Sequence, residues 1–106
     1  MGKINEVLMQ QGSVEIQIDY CGGRCPVQSE GQVGGKRFYF RSRHNAWHFI
    51  VAATSEDAYD LDEGKAEYYA RGADTYGGYM PPELARQLVQ KQCEFYLLLL
   101  QINASE

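Results

Sequence analysis

The sequence predicts an α+β fold: an antiparallel β-meander of four to five strands covered by a C-terminal α-helix, in one domain over residues 1–106. Three observations point there. Stretches in the first half alternate apolar and polar residues with the period of a half-buried strand. Gly34-Gly35 and His44-Asn45 fall between strand-like runs, where tight hairpin turns belong. After Pro81-Pro82 the apolar residues recur at helical spacing instead.

Taken in order, Lys3 to Gln10 sets Ile4, Val7 and Leu8 at helical spacing and predicts a short helix. In SVEIQIDY, Val14, Ile16, Ile18 and Tyr20 face one way and Glu15, Gln17 and Asp19 the other, the pattern of a half-buried strand. Pro26 to Val33 is a second strand interrupted by Gly31, and Gly34-Gly35 accept the positive φ angles of a tight turn. Lys36 to Arg43 and Ala46 to Ala53 follow as third and fourth strands, joined at His44-Asn45, with Asn45 expected to tolerate the left-handed conformation. That turn pairs Phe40 with Phe49 and Phe38 with Val51, so the large apolar side chains, Trp47 included, collect on one face. KAEYYA, residues 65–70, predicts a fifth, edge strand. From Met80 to Gln101 the chain reads as a helix. Its prolines and Glu83 suit the first turn, and Leu84, Leu88, Val89, Phe95, Leu98 and Leu99 are expected against the sheet.

A chain of 106 residues with 44 % hydrophobic content buries a core without cross-links. No apolar run approaches the roughly 20 residues that a bilayer span needs, and the amino terminus lacks the apolar stretch of a secretory signal. The expectation is a cytoplasmic protein with no membrane. Its three cysteines then remain reduced thiols, with Cys93 a small core filler.

DYCGGRCPVQ places Cys21 and Cys25 four residues apart, and His44 and His48 repeat the spacing. The strand register sets Cys25 opposite His44, which keeps a zinc site open, but His48 falls within the fourth strand, away from that turn. Arg24 between the thiols would repel a cation, and redox pairs favour C-x-x-C at a helix start. The segment reads as a strand-connecting turn, with no metal and no cofactor.

Net charge is −4, yet Thr54 to Tyr79 alone carries seven acids against two bases. Its carboxylates Asp57, Asp60, Asp62, Glu63 and Glu67 keep company with Tyr59, Tyr68, Tyr69 and Tyr76 and several glycines. Tyrosines offer large contact area at low entropy cost, and carboxylates steer a basic partner toward it. The EF-hand order of carboxylates is not met. The alternative surface is the outward face of the third strand, where Arg37, Tyr39, Arg41 and Arg43 combine bases with an aromatic, as nucleic-acid readers do. Cross-strand pairing with Glu30, Glu15 and Asp19 is the plainer account of those arginines. No G-x-S-x-G, phosphate loop or H-E-x-x-H occurs, so no catalytic residues are expected and the chain reads as non-enzymatic.

The run CPVQSEGQVGGKRFYFRSRHNAWHF and the later GGYMPPELARQLV resemble a group of small proteins carried by bacteriophages and prophages. The likeness rests on C-P-V-Q-x-E-G, F-Y-F-R-x-R, a tryptophan strand and G-Y-M-P, and covers Val14 to Val89. Small acidic phage proteins include inhibitors of host defence, the anti-CRISPR proteins among them. The resemblance implies a phage-borne inhibitor at work in the host bacterial cell. Its expected partner is a host protein, a CRISPR–Cas component with a basic nucleic-acid-binding surface.

Overall fold

The computed structural model describes residues 15–77 and 79–105. The helix expected over Lys3 to Gln10 lies outside the described residues. Five strands, β1 (Ile16–Gly22), β2 (Val27–Val33), β3 (Lys36–Arg43), β4 (Ala46–Ala52) and β5 (Tyr68–Ala73), form one antiparallel sheet in chain order. A short helix, α1 (Ser55–Tyr59), packs against β3 and β4, and α2 (Pro82–Ser105) crosses the opposite face.

The β3–β4 register sets Phe40 opposite Phe49 and Phe38 opposite Val51, as the turn position requires. With Val27, Val33, Met80, Ala85, Val89, Cys93 and Tyr96 these side chains make the main core. Trp47 is half-buried at its edge, ring-stacked on Phe40. Gly34 and Gly35 turn with φ of 57° and 80°. In the next turn the left-handed residue is His44 (φ 58°) rather than Asn45, whose carbonyl accepts the Asp74 N–H at 2.8 Å.

Strand β1 departs from its sequence pattern. Ile18 pairs with Gly31 but Tyr20 pairs with Glu30, which leaves Asp19 as the extra residue of a bulge. One inserted residue reverses the alternation that follows it. Tyr20, expected beside Ile16 and Ile18, is therefore turned outward and 51 % exposed, while Cys21 packs on the core. Gly31 is what permits the close approach: a Cβ there would sit 2.0 Å from the Gln17 carbonyl oxygen and 2.8 Å from the Phe38 ring.

Helix α2 also turns a different stripe to the sheet than its leucines advertise. Ala85, Val89, Cys93 and Tyr96 are buried, Leu84, Leu88 and Leu97 flank them, and Phe95, Leu98 and Leu99 face solvent. Successive helix positions are about 100° apart, so both stripes cannot face one sheet. The smaller residues let the helix settle closer to Val27, Val33 and the phenylalanines.

The sheet's other face carries a second, smaller cluster of Tyr39, Ile50, Ala52 and Ala58, edged by Leu61, Ala66 and Tyr69. The stretch from Thr54 onward, weakly periodic in sequence, forms α1, a 3₁₀ turn over Glu63–Lys65, and β5, which begins at Tyr68 rather than Lys65. Among the described residues no helix is long and apolar enough to cross a membrane.

Candidate functional site

Thr54 leaves β4 in an extended conformation, and its hydroxyl oxygen accepts the Asp57 N–H at 3.1 Å, which opens α1. Glu56 and Asp57 occupy the first turn, where carboxylates suit the positive end of the helix. Ala58 is fully buried and fixes α1 to the sheet. That contact lays the Tyr59 ring edge-on to Tyr39, centroids 5.0 Å apart, and the Tyr59 hydroxyl donates to the Glu30 carboxylate. The bond to Glu30 holds the Tyr59 hydroxyl above its ordinary pKa, so it stays a donor.

Asp60 closes the helix, and Leu61 takes a left-handed turn (φ 53°) that returns its side chain to the small cluster. Asp62 then caps the 3₁₀ turn by accepting the Gly64 N–H at 2.8 Å. Lys65 comes back to Asp57 at 3.6 Å. This one ordered segment holds Asp60, Asp62 and Glu63 exposed and Asp57 half-exposed, with Tyr59, 45 % exposed, among them. Backbone caps, a buried alanine and the Lys65–Asp57 pair hold the segment in place.

Two residues expected with this group lie on the α2 side instead. Tyr68 packs edge-on to Phe49 and beside Tyr96, and its hydroxyl donates to Gln92 Oε1 at 2.6 Å. Glu67 pairs with Lys36 at 3.1 Å and holds the Tyr96 hydroxyl, beside it, above its ordinary pKa, adding to the larger effect of burial. Strand alternation explains Tyr68, which points to the opposite face from Tyr69, while Glu67 precedes β5 and is drawn to Lys36. Tyr76 stands at the far end of β5, beyond the buried Asp74, which accepts from Ser42 Oγ at 2.5 Å and from the Tyr76 N–H at 2.7 Å.

The arginine face is only partly presented. Tyr39 is 7 % exposed beneath Tyr59, and its hydroxyl donates to Gln28 at 2.5 Å, so its ring is not open for stacking. Burial pushes its pKa up. Arg37 reaches Asp19 at 3.2 Å. Arg41 shares a row with Gln28, His48 and Arg71 across four strands, and Arg43 is exposed at the end of β3. Within that row His48 Nδ1 lies 2.5 Å from the Tyr69 hydroxyl. Burial first, then Arg71 and Arg41, pull the His48 pKa below its ordinary value, so the neutral ring accepts from Tyr69. Burial, and next Glu63, keep the Tyr69 hydroxyl protonated.

The Arg37–Asp19 pair is the cross-strand pairing expected of the outer face. Glu30 was visible as the cross-strand neighbour of Tyr39, but its bond to Tyr59 depends on α1 folding back over the sheet. At the cysteine turn, Cys21 Sγ donates to the Pro82 carbonyl at 3.7 Å, and Cys25 and His44 are exposed. Among the described residues no three His, Cys, Asp or Glu side chains are grouped to hold a metal ion. Comparison with known proteins returns no matching family model, no matching curated protein and no matching solved structure.

Proposed function

We propose that this chain is a non-enzymatic, phage-encoded inhibitor of the anti-CRISPR kind, which binds a host defence protein inside the bacterial cell. Its target is a CRISPR–Cas component, met at a basic nucleic-acid-binding site. The observation that carries the binding mode is the segment from Thr54 to Lys65, which holds Asp57, Asp60, Asp62 and Glu63 around an exposed tyrosine ring. Preorganised carboxylates bind without the entropy cost of ordering a loop, and their field speeds encounter with a cationic groove. The phage origin and the class of target rest on the sequence resemblance of Cys25 to Phe49 and Gly77 to Val89.

The test is retention of a CRISPR effector protein on the immobilised chain, measured at rising salt. Binding should weaken with salt, because screening acts over about 10 Å at 0.1 M. Converting Asp57, Asp60, Asp62 and Glu63 to lysine should abolish binding and keep the sheet and α2 folded, with the melting transition lowered slightly by loss of the Asp62 cap and the Lys65 pair. Normal binding by that variant would refute the acidic mechanism.

A second reading, a small nucleic-acid-binding or regulatory protein, is favoured by the row of Arg41, His48 and Arg71 with Arg43 beside it. It makes the opposite forecast: Arg37, Arg41 and Arg43 changed to glutamate abolish binding to DNA or RNA, and the lysine variant is silent.

A further inference from the structure

Helix α2 carries a second apolar stripe, of which only the first two members touch the core beneath the helix. Leu84, Leu88, Phe95, Leu98 and Ile102 recur at alternating steps of four and three, with Lys91 in the remaining position. That is the repeat of a helix that pairs with another helix. Leu84 and Leu88 lean on the core's edge, but Phe95, Leu98, Leu99 and Ile102 remain 45 %, 52 %, 45 % and 49 % exposed. Four half-exposed side chains of this size amount to on the order of 400 Å² of apolar surface, the size of the largest apolar patch on a typical monomer, which is often functional.

We propose that this stripe is a dimerisation seam, and that its occupant is α2 of a second copy of this chain, packed antiparallel about a two-fold axis. The repeat spacing asks for a helix with the same spacing, and an isologous pairing supplies one and closes without growing into a filament. Lys91 selects the direction. A parallel pair would set the two Lys91 ammonium groups face to face along the seam. An antiparallel pair keeps the two ammonium groups apart, each beside Ile102 of the other copy. Phe95 of one copy then lies beside Leu98 of the other. The area buried by both copies together, roughly 800–1,200 Å², sits at the low end for specific association, so the dimer forms in the micromolar range rather than permanently.

Sedimentation equilibrium on the full chain tests this. The mass should rise with concentration from 12.0 kDa toward twice that value. Leu98→Glu, or Phe95→Glu in a separate variant, should weaken dimerisation at least tenfold and leave circular dichroism unchanged. Lys91→Leu should tighten it. A wild-type chain that stays monomeric at hundreds of micromolar overturns the proposal. So does recovery of dimers only when Ile4 and Leu8 are changed to glutamate, because the N-terminal segment would then be the occupant. Preferential mixing of wild type with Lys91→Glu would overturn the antiparallel direction, since that substitution relieves repulsion only in a parallel pair.

Discussion

On the α2 side of the sheet, Val27, Val33, Phe38, Phe40, Phe49 and Val51 are sealed beneath a 24-residue helix. Among the described residues the α1 side buries Tyr39, Ile50 and Ala52 against Ala58 of a five-residue helix, and surrounds them with charge. A helix that short does not persist alone, because helix nucleation is costly and tertiary contacts must supply its stability. The difference teaches that one face carries the stability of the fold. The other has just enough apolar contact to hold a charged segment in one shape.

Deleting a fully buried ring should separate the two faces most clearly. Phe40→Ala should cost about 3–5 kcal/mol in chemical denaturation, a large share of the stability of a domain this size. A cost near 1 kcal/mol or less would mean that the α2 face is not the main core. On the α1 side, Ala58→Glu places a carboxylate where no space exists and should cost about 1–3 kcal/mol. Hydrogen exchange should show loss of protection confined to residues 54–66, with β3, β4 and α2 protected as before. Global unfolding at the same cost would show that the outer cluster is as essential as the inner one.

A smaller effect follows from His48 on the α1 side. Its folded pKa lies below the ordinary 6.5, so the folded state prefers the neutral ring. The stability it contributes is present above pH 6.5 and is lost as pH falls through the depressed folded value. Denaturation midpoints should fall on acidification toward pH 5, and His48→Gln should flatten that part of the profile.

The smallest effects concern the thiols. Burial, with Glu94 adding to it, pushes the Cys93 pKa up to about 12, so this thiol should react with a disulfide reagent only on unfolding, whereas exposed Cys25 labels at once. Cys21→Ser together with Cys25→Ser should shift stability by about 1 kcal/mol at most. Zinc bound at unit stoichiometry and lost in that double variant would contradict the turn assignment.

Much of the sheet was legible from short spans of sequence. The β3–β4 register follows from a two-residue turn and side chains that alternate on either side of it, and the start of α2 follows from Pro81, Pro82 and Glu83. The candidate site was legible as a composition, acids with tyrosines, but not as a shape. Tyr68 and Tyr69 are chemically alike, and only the pairing of β5 with β4 sends the first to α2 and the second to His48.

What the chain determines by itself is whatever neighbouring residues settle between them: turn positions, strand alternation, the onset of a helix and the local excess of carboxylates. Tertiary structure decides where distant segments compete for the same space. The bulge at Asp19 exists because β1 meets β2 at a residue without a side chain. The stripe of α2 that goes inward is the one whose small side chains allow closer contact with the phenylalanines. Segment 54–65 becomes ordered because Tyr39, on a strand two elements earlier, joins Ile50 in a surface that Ala58 can cover. In each case the deciding energy is burial between residues far apart in sequence, and local spacing carries no record of it.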